Sequence, residues 1–314
     1  MLWNLSEIYK ALNLQKETKE NPKFSGISID TRKIKKTSFY IPIKGINFDG
    51  HNFIDNASDL GIKAALVERK KIHLVKCKRI HLVVVENTKK ALVDLAVYSR
   101  KQNKKLTMIC ITGSSGKTTL KEWCKNILKI KFKIHYNEGN FNNEIGMPIT
   151  LVNMPKATKL CILELGMNKP GEIDFLSSVA MPQISIITNV GLAHIGNFRN
   201  EIDIAKEKSD IYKHLDKSGT ALIPRNSKFS KLMINKARTK TENIITFGSN
   251  RSSDLSFSDC KNSKQIEFSI FKKKIKLKKK SYFNNWQINV LVILGLMKIF
   301  KVNLKDVKSK IENL

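Results

Sequence analysis

Residues 109–123 read ICITGSSGKTTLKEW. An apolar run ends in a glycine-rich turn, then Gly-Lys-Thr-Thr, then an amphipathic segment. That order predicts strand, phosphate loop, helix. Backbone N–H groups must converge on one spot to hold a phosphate, and a helix N-terminus adds a favourable dipole. Gly113 and Gly116 let the backbone turn tightly around an anion. Lys117 supplies positive charge for β- and γ-phosphates, and Thr118 a hydroxyl for Mg²⁺. The glycines sit closer together than in the general G-x-x-x-x-G-K-[ST] pattern. Placement between a buried-type strand and a helix makes a nucleotide site the better reading than an ordinary turn.

Outward from this stretch, alternation continues. Strands are expected at 107–112, 160–164, 184–189 and 220–224, with helices between them. Such alternation implies a mainly parallel sheet with ligands at the strand C-terminal ends. From about residue 243 the pattern changes to short β segments near 244–247, 255–258 and 266–277, closed by a helix over 285–300. Upstream, strands are expected at 28–32, 38–43, 64–67 and 81–85, and helices at 53–60 and 88–101. Residues 100–105, RKQNKK, read as a linker. No internal repeat is evident.

The chain has 314 residues, which suggests two domains. Its formal charge is +30, from 57 Lys and Arg against 27 Asp and Glu. The lysines are spread throughout, so the charge reads as a drift in composition rather than a nucleic-acid surface. The densest run, FKKKIKLKKK at 271–280, suits an exposed hairpin with Ile275 and Leu277 inward, and no aromatics interleave it. Five cysteines without C-x-x-C spacing indicate a reduced, cytoplasmic chain with no disulfide or metal framework. Cys110 and Cys161 read as core residues. The N-terminal MLWNLSEIYKALN reads as an amphipathic helix, not a signal peptide. Residues 288–300 are apolar but too short and interrupted to cross a membrane, so they read as a core helix.

Three more constellations follow the expected strands. Glu164 ends an apolar run before Gly166, and a strand tip holds a carboxylate rigidly for a hard cation. A strand-end surface carboxylate is the equal alternative. His194, in TNVGLAH, reads either as a metal or substrate contact or as a solvated loop histidine. The segment 205–212 is by composition a charged helix. Residues 137–150, NEGNFNNEIGMPIT, are dense in Asn and Gly, suiting a polar ligand or simply a turn-rich connection.

In order, ITGSSGKTTLKE, GNFNNEIGMPIT, ELGMNKPGEI, TNVGLAHI and IAKEKSDIY resemble the ATP-dependent Mur ligases of peptidoglycan synthesis. Residues 27–68 resemble that family's nucleotide-sugar domain. The motifs are most similar to the branch that joins D-alanyl-D-alanine to UDP-MurNAc-tripeptide. The resemblance implies an α/β fold: a substrate-binding domain over 1–104 and a P-loop-type ATPase domain over 105–314, with a small antiparallel segment. It implies an acyl-phosphate reaction using ATP and Mg²⁺ in a monomeric cytoplasmic enzyme. It implies ATP contacts at Gly113, Ser114, Ser115, Gly116, Lys117, Thr118, Thr119 and Asn289. Mg²⁺ contacts are implied at Thr118, Glu164, His194 and Lys208, and catalytic roles for Lys117, Lys208 and His194. Lys208 matches a lysine that the family carbamylates. Asn142 and Asn143 match the substrate carboxylate site, and Asp30, Thr31 and Arg32 the region meeting uridine diphosphate.

The sequence departs from that pattern at Gly196, where an acidic residue is usual, and at 284–289, where only Asn289 of the adenine-contacting motif is retained. It stops at Leu314, where family members continue into a third domain. The expectation is therefore a chain lacking that domain, with little ligation activity alone. The alternative is a module that binds UDP-muramoyl peptide and ATP without ligating. A nucleic-acid-directed ATPase is a third reading, but it gives Glu164, His194 and Asn142 no role.

Overall fold

The computed structural model describes residues 1–16, 18–191, 195–260, 265–278 and 286–314. His194, Asn284 and Asn285 lie outside the described residues. The chain divides into two compact units, Met1–Lys104 with Glu144–Ala157, and Lys105–Asn143 with Thr158–Leu314.

In the first unit, a short antiparallel pair, β1 (Trp3–Asn4) and β2 (Lys23–Phe24), flanks the helix Leu5–Ala11. That helix starts at a capping box. Asn4 accepts from the Glu7 amide, and the Glu7 carboxylate accepts from the Asn4 amide. Four parallel strands follow: β3 (Gly26–Ser28), β4 (Ser38–Tyr40), β5 (Ala64–Glu68) and β6 (His81–Val85), in spatial order 3-4-5-6. Their core gathers Tyr40, Ile54, Ala57, Ile62, Ala65, Val67 and Ile80.

The expected strand at 28–32 ends at Ser28, because the Asp30 carboxylate accepts from the Arg32 amide and caps a 3-10 turn over Thr31–Lys33. The expected linker at 100–105 starts later. The helix Thr88–Gln102 carries Arg100 inside it, buried. The connection at 137–150 ends in a helix, Gly146–Val152, that belongs to the first unit. Pro148 sits in its first turn, where the missing N–H is no loss.

The second unit is built on a nine-stranded sheet. Its strands are β7 (Thr107–Thr112), β8 (Ile134–Tyr136), β9 (Leu160–Glu164), β10 (Ile184–Ile187), β11 (Thr220–Pro224), β12 (Ile244–Gly248), β13 (Leu255–Asp259), β14 (Gln265–Ile270) and β15 (Lys273–Lys278). Their order is 15-14-13-12-11-10-7-9-8. Pairs from β8 across to β13 are parallel, and β13, β14 and β15 pair antiparallel.

The central strands β7 and β9 are buried on both faces, as a parallel sheet covered by helices requires. The apolar helix Trp286–Ile299 and the helix Lys117–Leu128 share one core with them. Cys124 is buried in that core, and Cys110 on β7 and Cys161 on β9 are buried too, as small apolar residues. In the hairpin, Leu277 faces the core opposite Ile266, while Phe271 and Lys272 make the turn. Among the described residues, no helix is long and apolar enough to cross a membrane.

Candidate nucleotide and metal site

The parallel strands β7, β9, β10 and β11 present their C-terminal ends together, and the loop after β7 turns there. Gly113 has φ +151°, and a Cβ on it would lie 1.9 Å from Thr188 Oγ1. Gly116, with φ +79°, starts the helix Lys117–Leu128 without any side-chain cap. Its first-turn amides therefore point into the loop, as an anion site needs.

The loop is braced from β10. Asn189 Oδ1 accepts from the Ser114 and Ser115 amides at 3.0 and 2.9 Å, and its Nδ2 donates to Ser115 Oγ at 2.6 Å. Thr188 Oγ1 donates to the Ser115 carbonyl at 2.7 Å. Ser114 Oγ donates to the Gly191 carbonyl and accepts from its amide. Lys117 Nζ donates to the Gly113 carbonyl at 2.8 Å. Burial lowers the Lys117 ammonium below its ordinary range, and the Glu164 charge opposes that shift. Thr119 is exposed one residue beyond Thr118.

Glu164, at the tip of β9, meets this loop. Thr118 Oγ1 donates to Glu164 Oε2 at 2.7 Å, and Asn142 Nδ2 donates to Oε1 at 2.9 Å. Glu164 is 3% exposed, so it is no solvated strand end. The donor set is a hydroxyl and one carboxylate, all oxygen, which fits Mg²⁺ that keeps phosphate and water ligands. Among the described residues, no group of three or more His, Cys, Asp or Glu side chains gathers.

Lys208 lies on the helix Glu201–Ser209, whose charged sequence conceals a buried face. Its side chain is buried, with Nζ 3.8 Å from Met167 Sδ. Burial pulls its ammonium down to about 7, the Lys117 charge adds to this, and Glu207 opposes it. The neighbouring Glu207 accepts from the Gly171 and Ile173 amides at 2.8 and 2.9 Å. It thereby caps the helix Glu172–Ala180 and fixes the helix that carries Lys208. An amine with this environment is substantially neutral near pH 7 and nucleophilic.

A cavity of about 260 Å³ opens beside the loop, lined by Gly116, Asn226, Phe247, Gly248, Ile288 and Asn289 among others. Asn289 is buried, and its Oδ1 lies 3.8 Å from where a Gly116 Cβ would be. This sequence position is therefore brought to the phosphate loop. Asn143 is exposed beside Asn142. In the first unit, Asp30 and Arg32 pair with each other, with Arg32 Nη2 2.8 Å from Asp30 Oδ2, and Thr31 lies in the same turn. The positions that motif reading left without a role are Asn189, Lys121, Asn137 and Glu207. All four stand inside the sequence stretches given above, but residue type alone assigns none of them a task.

This strand–loop–helix with a carboxylate on the next strand has known counterparts. The Mur ligase middle domain matches residues 111–296, more than half of the chain, and the Mur ligase family catalytic domain matches residues 23–102. The chain belongs to the Mur ligase family.

Among its Mur ligase relatives is the UDP-N-acetylmuramoyl-tripeptide–D-alanyl-D-alanine ligase of Bacillus subtilis (strain 168). It is 35% identical over 224 residues, 70% of this chain and 47% of that one. The enzyme of the same name from Rickettsia prowazekii (strain Madrid E) is 34% identical over 249 residues, 79% of this chain and 54% of that one. The chain spans about half the length of these curated relatives. A crystal structure of MurF from Acinetobacter baumannii matches with a TM-score of 0.87 at 28% identity, covering 99% of this chain and 68% of that one. MurF ligase from Thermotoga maritima, solved in complex with ADP, matches with a TM-score of 0.77 at 30% identity, covering 90% of this chain and 65% of that one.

Proposed function

We propose that this chain carries the nucleotide-sugar and ATP-binding parts of a ligase that joins D-alanyl-D-alanine to UDP-MurNAc-tripeptide. The observation that carries this reading is the 2.7 Å contact between Thr118 Oγ1 and Glu164 Oε2 at an uncapped helix N-terminus. It sets a phosphate cradle and a hard-cation carboxylate side by side.

A carboxylate is a poor electrophile because it is anionic and has a poor leaving group. In the proposed reaction one carboxylate oxygen of the tripeptide attacks the γ-phosphorus of ATP, and the bond to ADP breaks. The D-alanyl-D-alanine amine then attacks the acyl carbon, phosphate leaves with the bonding pair, and the amine gives up a proton. Two anions must approach each other in the first step, so positive charge must be fixed in place beforehand. Lys117 provides it at the helix start. Its lowered pKa marks a desolvated ammonium, which acts more strongly on a phosphate than one in water.

Thr118 and Glu164 would hold Mg²⁺, which supplies charge neutralisation at the phosphates when bound. His194 is proposed from its motif alone as a further contact. Lys208 is proposed to add CO₂ through its neutral amine, losing a proton and becoming an anionic oxygen ligand. Asn142 and Asn143 are proposed at the substrate carboxylate, Asn289 at the adenine, and Asp30, Thr31 and Arg32 near the uridine diphosphate. A monomeric cytoplasmic enzyme remains the expected setting.

Calorimetric titration with ADP and ATP in Mg²⁺ tests the nucleotide reading. Wild type should bind, and Lys117→Ala should lose binding by about 100-fold or more, since a desolvated charge-assisted contact is removed. Unchanged affinity in that variant would remove the phosphate-loop assignment. Formation of UDP-MurNAc-pentapeptide from ATP, UDP-MurNAc-tripeptide and D-alanyl-D-alanine tests the complete reaction.

A further inference from the structure

Lys121 is one turn past Lys117 on the same helix, and it is 1% exposed. A buried ammonium costs several kcal/mol unless it is well used. Its Nζ donates to the Asn137 carbonyl at 2.6 Å, with Glu122 Oε1 farther off at 3.6 Å. Glu122 itself is paired with Lys125. The main partner of this buried charge is therefore one backbone carbonyl.

That carbonyl belongs to a residue with a particular task. β8 is the edge strand, and its ladder with β9 runs out at Tyr136 opposite Ile162. Asn137 follows, fully buried. Its side-chain amide takes over where the backbone ladder stops. Oδ1 accepts from the Glu164 amide at 2.9 Å, and Nδ2 donates to the Glu164 carbonyl at 2.8 Å. Nδ2 also donates to the Phe141 carbonyl at 3.0 Å, which orders the turn that brings Asn142 to the Glu164 carboxylate.

The helix after the phosphate loop thus grips Glu164 twice. Thr118 holds the carboxylate, and Lys121 holds the backbone through Asn137. We infer that Lys121 and Asn137 are positioning residues that set the Glu164 carboxylate against the phosphate loop for a divalent cation bound with nucleotide. The inference rests on the nucleotide reading above and adds to it the residues that align its metal ligand. A lysine is suited to this because its single long arm reaches a carbonyl that the helix backbone cannot. An apolar residue of equal length would fill the space but take away this donor to the buried Asn137 carbonyl, loosening the backbone that carries the Asn137 amide.

The test is ADP titration of the full chain, once with Mg²⁺ and once with EDTA. Wild type should bind more tightly with Mg²⁺. Lys121→Met should lose that enhancement by about 10–100-fold while its EDTA affinity stays within about twofold, since residues behind a metal ligand cost that much in metal affinity. Asn137→Ala should do the same, and the double variant should lose no more than either alone. Asn137→Ala leaves the buried ammonium in place, so it carries the test if Lys121→Met does not fold. A folded variant that keeps the full Mg²⁺ enhancement overturns the inference and leaves the nucleotide reading intact. An equal loss in Mg²⁺ and EDTA also overturns it, because Lys121 would then act on the phosphate loop directly. A wild type that binds no ADP takes down both.

Discussion

Replacing Lys208 by methionine should stabilise the protein, by an amount that depends on pH. The Lys208 ammonium falls from 10.5 to about 7, chiefly through burial, with Lys117 adding to it and Glu207 opposing it. At about 1.4 kcal/mol per pH unit, the folded state carries a penalty on the order of 5 kcal/mol for this group. The sign follows from the folded value lying below the unfolded one. Below about pH 7 both states bind the proton and the whole penalty applies. Between about 7 and 10.5 only the unfolded chain binds it, so the penalty shrinks as pH rises. Above 10.5 it is gone.

Methionine keeps the length and apolar stem without the titrating head. Urea unfolding of both proteins at pH 6 and pH 9, in CO₂-free buffer, reads the difference directly. The variant should be more stable at pH 6 by on the order of several kcal/mol, and the gap should narrow by about 3 kcal/mol at pH 9. CO₂ must be excluded because carbamylation would remove the charge being measured. An identical gap at both pH values would refute a desolvated amine. So would a less stable variant at pH 6, since the ammonium would then be well satisfied in the native state.

Other outcomes follow from single contacts. Gly113→Ala puts a Cβ 1.9 Å from Thr188 Oγ1 at φ +151°; it should cost about 2–4 kcal/mol in denaturant unfolding and abolish ADP binding. In the first unit, Lys71 Nζ lies 2.8 Å from Asp49 Oδ2 and 3.0 Å from Glu68 Oε2, with His51 Nδ1 2.6 Å from Asp49 Oδ1. Burial works to raise the Asp49 carboxyl, but hydrogen bonds from Lys71 and His51 outweigh it and hold the carboxyl well below its ordinary range. Asp49→Asn should therefore lower stability by about 2–4 kcal/mol at pH 7. That deficit should persist down to the ordinary carboxylate value of 3.8 and close as pH falls below it, because a depressed carboxyl stabilises only while ionised. Thermal unfolding at pH 7 and pH 2.5 checks it, and an equal deficit at both values would rule the ion pair out.

The strand–loop–helix at 107–128 was legible because three local signals agree there. They are a run buried on both faces, glycines at the turn, and an amphipathic helix with its basic first residue. Glu164 was legible as a strand tip, but composition left it balanced against a surface carboxylate. The structure removes the surface alternative: Glu164 is buried, and its Thr118 contact joins residues 46 positions apart and has no local signature.

Lys208 illustrates the opposite failure. Its helix reads as charged on every side, and only tertiary burial makes one lysine unlike its neighbours. Asn137 and Lys121 escaped reading for a related reason. Their roles are hydrogen bonds to backbone, and backbone leaves no trace in residue type. The strand expected at 28–32 failed because Asp30 satisfies the local amides with its own side chain. The helix Gly146–Val152 was hidden in a stretch dominated by Asn, Gly and Pro, whose turn preferences outweigh seven helical residues.

That last helix has a practical consequence. Asn153, just past its end, brackets Ile27 on edge strand β3 with two 2.9 Å hydrogen bonds, and Val152 receives the Trp3 indole N–H at 2.7 Å. The first unit is thus completed by a peptide that arrives after 39 residues of the second, Lys105–Asn143, have gone by. A gene fragment stopped at Lys104 would leave β3 with a naked rim and Trp3 with an idle indole, a surface prone to clumping. Expression of residues 1–104 by themselves should yield insoluble material, and a soluble version would need this short helix grafted back in sequence with its host.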